Sequence, residues 1–252
     1  MRKNYIKTGK CIWCGQSTPN VTFNSEPHIV PHSLGGQEIG VDICKECNNY
    51  FGSATVGVPS INLSFKEIFN AFRFFGNNLD ENSYKHFKSS FFEYRHSKRK
   101  IIIKKNFNSK TVTELFKRGL YEVFLQKYHA VTGNGNHPMF DMVRRYARYG
   151  QGHPHIYYAF NNIIFSTTND EKVILNMSKV CIKDMMKSGV FKLWLFGHFF
   201  YMETIPLAFR TFGRSFLQEE ANKVLIPAIG NERIYEFNDV MEIDFCMERF
   251  NF

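Results

Sequence analysis

Two pairs of cysteines constrain this chain more than any other feature. Four of the six cysteines form Cys-x-x-Cys pairs, Cys11 with Cys14 and Cys44 with Cys47. Four thiolates in two such pairs can complete a tetrahedral zinc sphere, and a sphere with no open position is structural and not catalytic. The pattern therefore predicts one structural zinc, with a redox dithiol or two coincidental pairs as the alternatives.

Whether the cysteines bind a metal or form disulfides depends on the cellular compartment of the protein. Residues 1–7 are basic but no apolar stretch follows them, so the sequence shows no secretory signal. The longest apolar run, residues 190–202, contains Lys192 and His198 and is shorter than the roughly 18 to 20 residues of a membrane span. We expect a cytoplasmic protein without a membrane partner, and its reducing surroundings favour metal ligands over disulfides.

The charge of the chain bears on its partner. The 252 residues carry a formal net charge of +9, and 44% of them are hydrophobic, which is enough to build a core. A basic protein of this kind favours a polyanionic partner, either a nucleic acid or an anionic surface.

The segment between the cysteine pairs carries a second motif. Residues 28–36 read His-Ile-Val-Pro-His-Ser-Leu-Gly-Gly, and the second pair runs on into Asn-Asn-Tyr-Phe-Gly at residues 48–52. This order of motifs resembles the zinc-stapled branch of the HNH endonuclease family. The resemblance covers about the first 55 residues.

The resemblance implies a ββα-metal core and an enzyme that hydrolyses phosphodiester bonds, with DNA as the expected substrate. In such a core a histidine at the end of the first strand is the general base, and the closing helix supplies a metal ligand. The matching positions are His28 for the base and Asn48 for the helix ligand. The catalytic ion would be magnesium or manganese, distinct from the zinc.

The chemistry of these residues agrees with that assignment, and one departure from the family motif concerns the acid. Histidine is suited to accept a proton from water near neutral pH, and hard divalent ions prefer carboxylate and amide oxygens. The position before His28 is Pro27, and the nearest acid is Glu26. In extended chain Glu26 and His28 share a face, so we expect Glu26 to contribute to the catalytic metal site. Asp42 stands near the position of the family's middle asparagine and is a second candidate ligand.

Basic residues outside the motif are candidates for contacts with nucleic acid. His32 lies four residues after His28 and is expected to contact phosphate or solvent. Further candidates lie in a basic segment and in the third predicted helix: Lys98, Arg99, Lys100, Arg144, Arg145 and Arg148. Lysine and arginine neutralise phosphates largely without regard to base sequence, whereas a merely solvated surface is the alternative for each group.

The remainder of the chain predicts an α+β fold. We place a boundary near Pro59, which separates an HNH-like module at residues 1–59 from an α+β domain at residues 60–252. The role of the second domain is unknown, and nucleic-acid binding is a candidate. Helical periodicity predicts helices over 63–75, 111–128 and 138–149, with capping boxes beginning at Ser64 and Thr111 and stops at Gly76 and Gly150. Alternating segments predict a hairpin over 163–175 and strands over 190–195 and 199–205.

The sequence therefore favours a metal-dependent HNH-like endonuclease with structural zinc. A first alternative is a zinc-stapled nucleic-acid-binding module whose catalytic site has degenerated, since Pro27 replaces the expected acid. A second alternative is an interaction protein that uses the cysteines only as a structural staple.

Overall fold

The computed structural model describes residues 5–77, 82–160, 175–224 and 234–243. Helices and antiparallel strands are mixed, which confirms the predicted α+β class. The helices are α1 (Lys45–Gly52), α2 (Ile61–Asn77), α3 (Ser109–Thr132), α4 (Asp141–Tyr149), α5 (Lys179–Ser188) and α6 (Arg214–Val224). The strands are β1 (Phe92–Arg95), β2 (Lys100–Ile103), β3 (Ile156–Phe160), β4 (Val190–Leu195), β5 (His198–Glu203) and β6 (Tyr235–Glu236).

The strands form two antiparallel sheets. A two-stranded hairpin pairs β1 with β2, and a four-stranded sheet has the order β4-β5-β3-β6. The predicted strand over 190–195 is confirmed. The next strand ends at Glu203 and not at Ile205, because the N–H groups of Thr204 and Ile205 donate to the carbonyl of Gly189 instead of continuing the ladder.

The second helix begins earlier than its predicted cap. The N–H of Leu63 donates to Oγ of Ser60 over 3.1 Å, so Ser60 is the cap. Ser64 is buried inside the helix, and Glu67 accepts hydrogen bonds from residues 89 and 90 instead of closing a capping box. The predicted cap at Ser64 is therefore wrong, and the helix extends to Asn77, one residue beyond Gly76.

The long helix α3 forms the centre of the molecule. Its cap is Asn108, whose Oδ1 accepts from the N–H of Thr111, so the predicted cap at Thr111 is also wrong. The helix is buried along most of its circumference and packs against α2 and α4. Phe116 stacks on Phe65 of α2 and contacts Phe200 of β5 edge-on, which joins the helices to the sheet.

The third predicted helix is confirmed with a modified start. Pro138–Phe140 is a single 3-10 turn, and α4 follows from Asp141. Gly150 ends it with φ of +66°, as the glycine signal predicted. The predicted hairpin over 163–175 lies outside the described residues except for Leu175. The hairpin β1–β2 and the helices α5 and α6 were not predicted.

One apolar core connects the cysteine segment with the rest of the chain. The buried side chains of this core include Cys11, Phe51 of α1, Phe116 of α3 and Ile243. The boundary near Pro59 thus coincides with no break in the core, and the division into two domains stays a prediction. Among the described helices, none has the length and apolarity that crossing a membrane requires.

Candidate metal centre and nuclease site

The four paired cysteines meet in one cluster. Their Sγ atoms all lie within 4.8 Å of one another, and those of Cys14 and Cys44 are 3.8 Å apart. Zinc–sulfur bonds of about 2.3 Å in a tetrahedron place two sulfurs about 3.8 Å apart, so the cluster has the size of a zinc sphere. Cys11, Cys44 and Cys47 are buried and Cys14 is half-buried, as befits a structural centre.

The backbone around the cluster is arranged to support thiolates. The N–H of Cys44 donates to Sγ of Cys11, and the N–H of Cys47 donates to Sγ of Cys44, each over 3.4 Å. A hydrogen bond from Cys47 lowers the pKa of Cys11 to about 5 against the effect of burial, whereas burial raises the pKa of Cys44 to about 12. A divalent ion bound by the four thiolates would compensate their negative charge.

The first cysteine pair lies in a tight knuckle. Gly15 has φ of +71°, and its N–H donates to the carbonyl of Cys11 over 2.9 Å. Trp13, inside the pair, packs against Phe51 of α1 with ring centroids 4.8 Å apart. The cysteine cluster and the apolar packing of Trp13 on Phe51 therefore join α1 to the knuckle.

His28 lies on a minimal strand pair. It bridges Ile39 in antiparallel register, with hydrogen bonds of 2.9 Å from the N–H of Ile29 to Glu38 and of 2.7 Å from the N–H of Gly40 to Pro27. The side chains of Glu26 and His28 are exposed, whereas Pro27 and Ile29 are buried. This is the alternation of extended chain, and it leaves both exposed side chains available to a ligand.

His32 stands next to His28 at the start of a 3-10 turn, residues His32–Leu34. The two imidazole rings meet edge-on with centroids 5.5 Å apart, and both residues are exposed. Gly36 is required by packing, because a Cβ there would lie 1.9 Å from the carbonyl oxygen of Val30. The turn thus sets His32 beside the predicted base.

Asn48 and the second candidate acid have different surroundings. Asn48 is half-buried in the first turn of α1, directly after Cys47. Asp42 is buried, and its Oδ2 accepts from Oγ of Thr8 over 2.8 Å while its Oδ1 accepts from the N–H of Gly9 over 3.1 Å. His129 lies 3.0 Å from Oδ2. Burial acts to raise the pKa of Asp42, but these hydrogen bonds lower it below its ordinary value. The contacts give Asp42 a structural task, and metal ligation by Asp42 gains no support from them.

Helix α3 binds the segment that pairs with the strand of His28, residues 38–42. Nζ of Lys127 binds Oε1 of Glu38 at 2.7 Å, with the lysine almost fully buried. His129 accepts from the N–H of Gly135 through Nδ1, so its Nε2 carries the proton that it donates to Asp42. These two contacts fix residues 38–42, which in turn pair with the strand of His28.

The basic candidates separate by their contacts. Lys98, Arg99 and Lys100 are exposed at the tip of the β1–β2 hairpin, where Arg95 and Lys100 face each other across the last pair. Arg145 is exposed on α4.

The two remaining arginines of α4 have partners within the protein. Arg144 binds the carbonyl oxygens of Gly135 and His137 and pairs with Asp141. Nε and Nη1 of Arg148 are buried, and its guanidinium lies 3.9 Å above the ring of Tyr50. Phosphate contact by Arg144 or Arg148 gains no support from this geometry.

Sequence reasoning missed Lys127, His129 and Arg118, which organise the site from α3. Arg118 donates to the hydroxyl of Tyr50 and to the carbonyl oxygens of Ala147 and Arg148. Each lies on the most regular helix of the chain, and no local motif marks it. Their partners Glu38, Asp42, Tyr50, Ala147 and Arg148 are 29 to 89 positions away, so only a pairing across the fold identifies them.

The comparison with family models agrees with the motifs. Residues 11–57 match the model of the HNH endonuclease family, and this range begins at the first cysteine and includes the whole strand pair and α1. Searches of curated proteins and of solved structures found no match. The matched segment supports a nuclease-type function in general and a nucleic acid as partner. Residues 11–57, which contain the four-cysteine cluster and His28, are thus the segment of this chain that is similar to the HNH endonuclease family.

Proposed function

We propose that this chain is a metal-dependent endonuclease that hydrolyses phosphodiester bonds in DNA, with His28 as the general base. The observation that carries the proposal is the exposed imidazole of His28 on the paired strand, inside the segment that matches the HNH family. Helix α3 binds Glu38 and Asp42, and residues 38–40 pair with the strand of His28. A catalytic imidazole needs such fixed support, since small displacements of a reacting group greatly reduce the rate.

The proposed reaction assigns a task to each exposed residue of the site. His28 accepts a proton from the attacking water, and His32, beside it, contacts a neighbouring phosphate. Glu26 and Asn48 offer the carboxylate and amide oxygens that hold magnesium or manganese. When bound, such an ion stabilises negative charge on the phosphate and on the leaving oxygen. The zinc of the cysteine cluster has no part in the chemistry, because four thiolates leave it no open position.

The basic hairpin supplies affinity in this proposal. Residues 96–100 at its tip include a histidine, two lysines and an arginine, all exposed. Arg95 and Lys100 face each other across the last pair, and Glu93 pairs with Arg95 over 3.4 Å. A phosphate beside this pair would meet two cations. Together with Arg145, the hairpin forms the proposed contact with the DNA backbone.

The first prediction concerns the zinc. We expect one zinc ion per chain, and Cys44→Ser should lose it and unfold the N-terminal segment, since metal binding supplies folding energy there. Cys181→Ser is the matched control, because Cys181 lies outside the cluster and its loss should change neither property. Elemental analysis and circular dichroism provide the measurement. A zinc-free protein that keeps its N-terminal fold would disprove the structural staple.

The second prediction concerns the base. His28→Ala should reduce the rate of magnesium-dependent cleavage of supercoiled DNA by a factor of about 10² to 10⁴. Zinc content and DNA binding should stay unchanged, because the imidazole acts on water and not on the scaffold. His153→Ala, at another exposed histidine, should cleave like the wild type. An RNA substrate in parallel tests the preference for DNA.

Two outcomes would contradict the proposal. If His28→Ala cleaves at the wild-type rate, His28 is not the base. If the wild type binds DNA without cutting it in magnesium or manganese, the chain is a nucleic-acid-binding module with a degenerated site. Protein that neither cuts nor binds nucleic acid would indicate an interaction protein.

The third prediction distinguishes the two acids. Glu26→Gln should raise the magnesium concentration needed for half-maximal cleavage, since it replaces a ligand carboxylate by an amide. Asp42→Asn should leave that concentration unchanged but lower the stability by about 1 to 3 kcal/mol, because it disturbs buried hydrogen bonds. Metal titrations and urea unfolding measure the two effects. The reverse result, with only the Asp42 variant shifted in metal dependence, would move the ligand to the loop before α1.

The fourth prediction concerns affinity. The triple variant Lys98→Gln, Arg99→Asn, Lys100→Gln should weaken DNA binding and reduce the slope of log K against log salt by about one for each lost phosphate contact. Asparagine is chosen for Arg99 because its φ of +48° is left-handed, which asparagine tolerates. The control removes three exposed lysines from α5, Lys179, Lys183 and Lys187. Equal effects of both triple variants would indicate a general loss of charge and no specific role of the hairpin.

A further inference from the structure

Arg148 is the charged residue whose surroundings the proposed nuclease chemistry leaves unexplained. Its Nε and Nη1 are buried, and among the described residues neither atom has a hydrogen-bond partner. A buried guanidinium group without compensation is costly, so a nearby negative charge is expected. The carboxylates of the described residues do not supply it, since no ion pair of Arg148 is formed with them.

The position of Arg148 points toward the cysteine cluster. Its guanidinium lies 3.9 Å from the centroid of the Tyr50 ring. Tyr50 follows Cys47 by three residues on α1, and residues three apart on a helix are neighbours on one face. The guanidinium therefore lies on the face of α1 that Cys47 also occupies.

The arrangement around Arg148 is held rigidly. Arg118 of α3 donates from Nη2 to the hydroxyl of Tyr50 over 2.8 Å and to the carbonyl oxygen of Arg148 over 2.9 Å. Its Nε donates to the carbonyl oxygen of Ala147 over 3.0 Å. One arginine on α3 therefore fixes both the ring beneath the guanidinium and the end of the helix that carries it.

We propose that Arg148 is the counter-charge of the four-cysteine zinc centre and increases its zinc affinity. Four thiolates carry two more negative charges than one zinc ion cancels, and they lie in a buried site where that excess is poorly solvated. A fixed guanidinium stacked on Tyr50, on the face of α1 that carries Cys47, stabilises the excess charge. The inference rests on the structural zinc of the proposed function, and it makes α4, outside residues 11–57, a part of the metal centre.

The test compares the zinc affinity of the full chain with that of variants, by competition with a chromogenic chelator. Arg148→Gln should lower the affinity about 10- to 100-fold, the usual effect of losing a residue that supports a metal ligand. Arg148→Lys keeps the charge but not the planar stack on Tyr50, and should stay within about threefold of the wild type. Arg145→Gln removes an exposed charge from the same helix and should have no effect.

The outcomes separate charge from packing. An Arg148→Lys variant as weak as Arg148→Gln would show that only the stacking on Tyr50 matters, and would overturn the inference. So would an Arg148→Gln variant that holds zinc like Arg145→Gln. If Arg148→Gln does not fold, Arg148→Lys alone decides, with a loss of tenfold or more counting against the counter-charge. Wild-type protein that binds no zinc would instead refute the structural zinc itself.

Discussion

The convergence of four cysteine side chains on one point is the constraint on which the HNH-like segment, residues 11–57, depends. Cys11 and Cys14 belong to a knuckle, and Cys44 and Cys47 belong to the start of α1, 30 positions later. A segment of this length can build only a small core, and metal ligation is a usual means of stabilising a small unit of this kind. The packing of Trp13 on Phe51 adds an apolar contact at the same junction.

The cluster alone does not fix the strand of His28. The pair around His28 is a single bridge with two flanking hydrogen bonds, and an isolated pair of that length is not stable in water. Helix α3 provides the missing support through Lys127 and His129, which bind Glu38 and Asp42. The proposed catalytic strand is therefore held by a helix that lies outside the segment matching the family. Buried residues of that segment and of α3 also belong to the same apolar core.

The distribution of positive charge follows from which arginines and lysines the fold uses internally. Arg118, Arg144 and Arg148 bind carbonyl oxygens or an aromatic ring within the protein, whereas the hairpin tip and Arg145 remain exposed. Arginine is suited to the first task, because its planar group can donate several hydrogen bonds and stack at once. The net positive charge of the sequence therefore does not show which arginines and lysines contact groups within the protein and which are exposed.

The sequence by itself determined the features that rest on local chemistry. Cysteine spacing predicted the metal cluster, the His-Ile-Val-Pro segment with the second pair indicated the family, and helical periodicity located α3 and α4. The sequence predicts caps at Ser64 and Thr111, whereas the structure has them at Ser60 and Asn108. Several nearby residues offer the same capping oxygen, and only the packed backbone selects one. The burial of Asp42 and Arg148 and the support by Lys127 were decided by tertiary structure alone. Their partners are distant in sequence, and a side chain's task depends on which group meets it across the core.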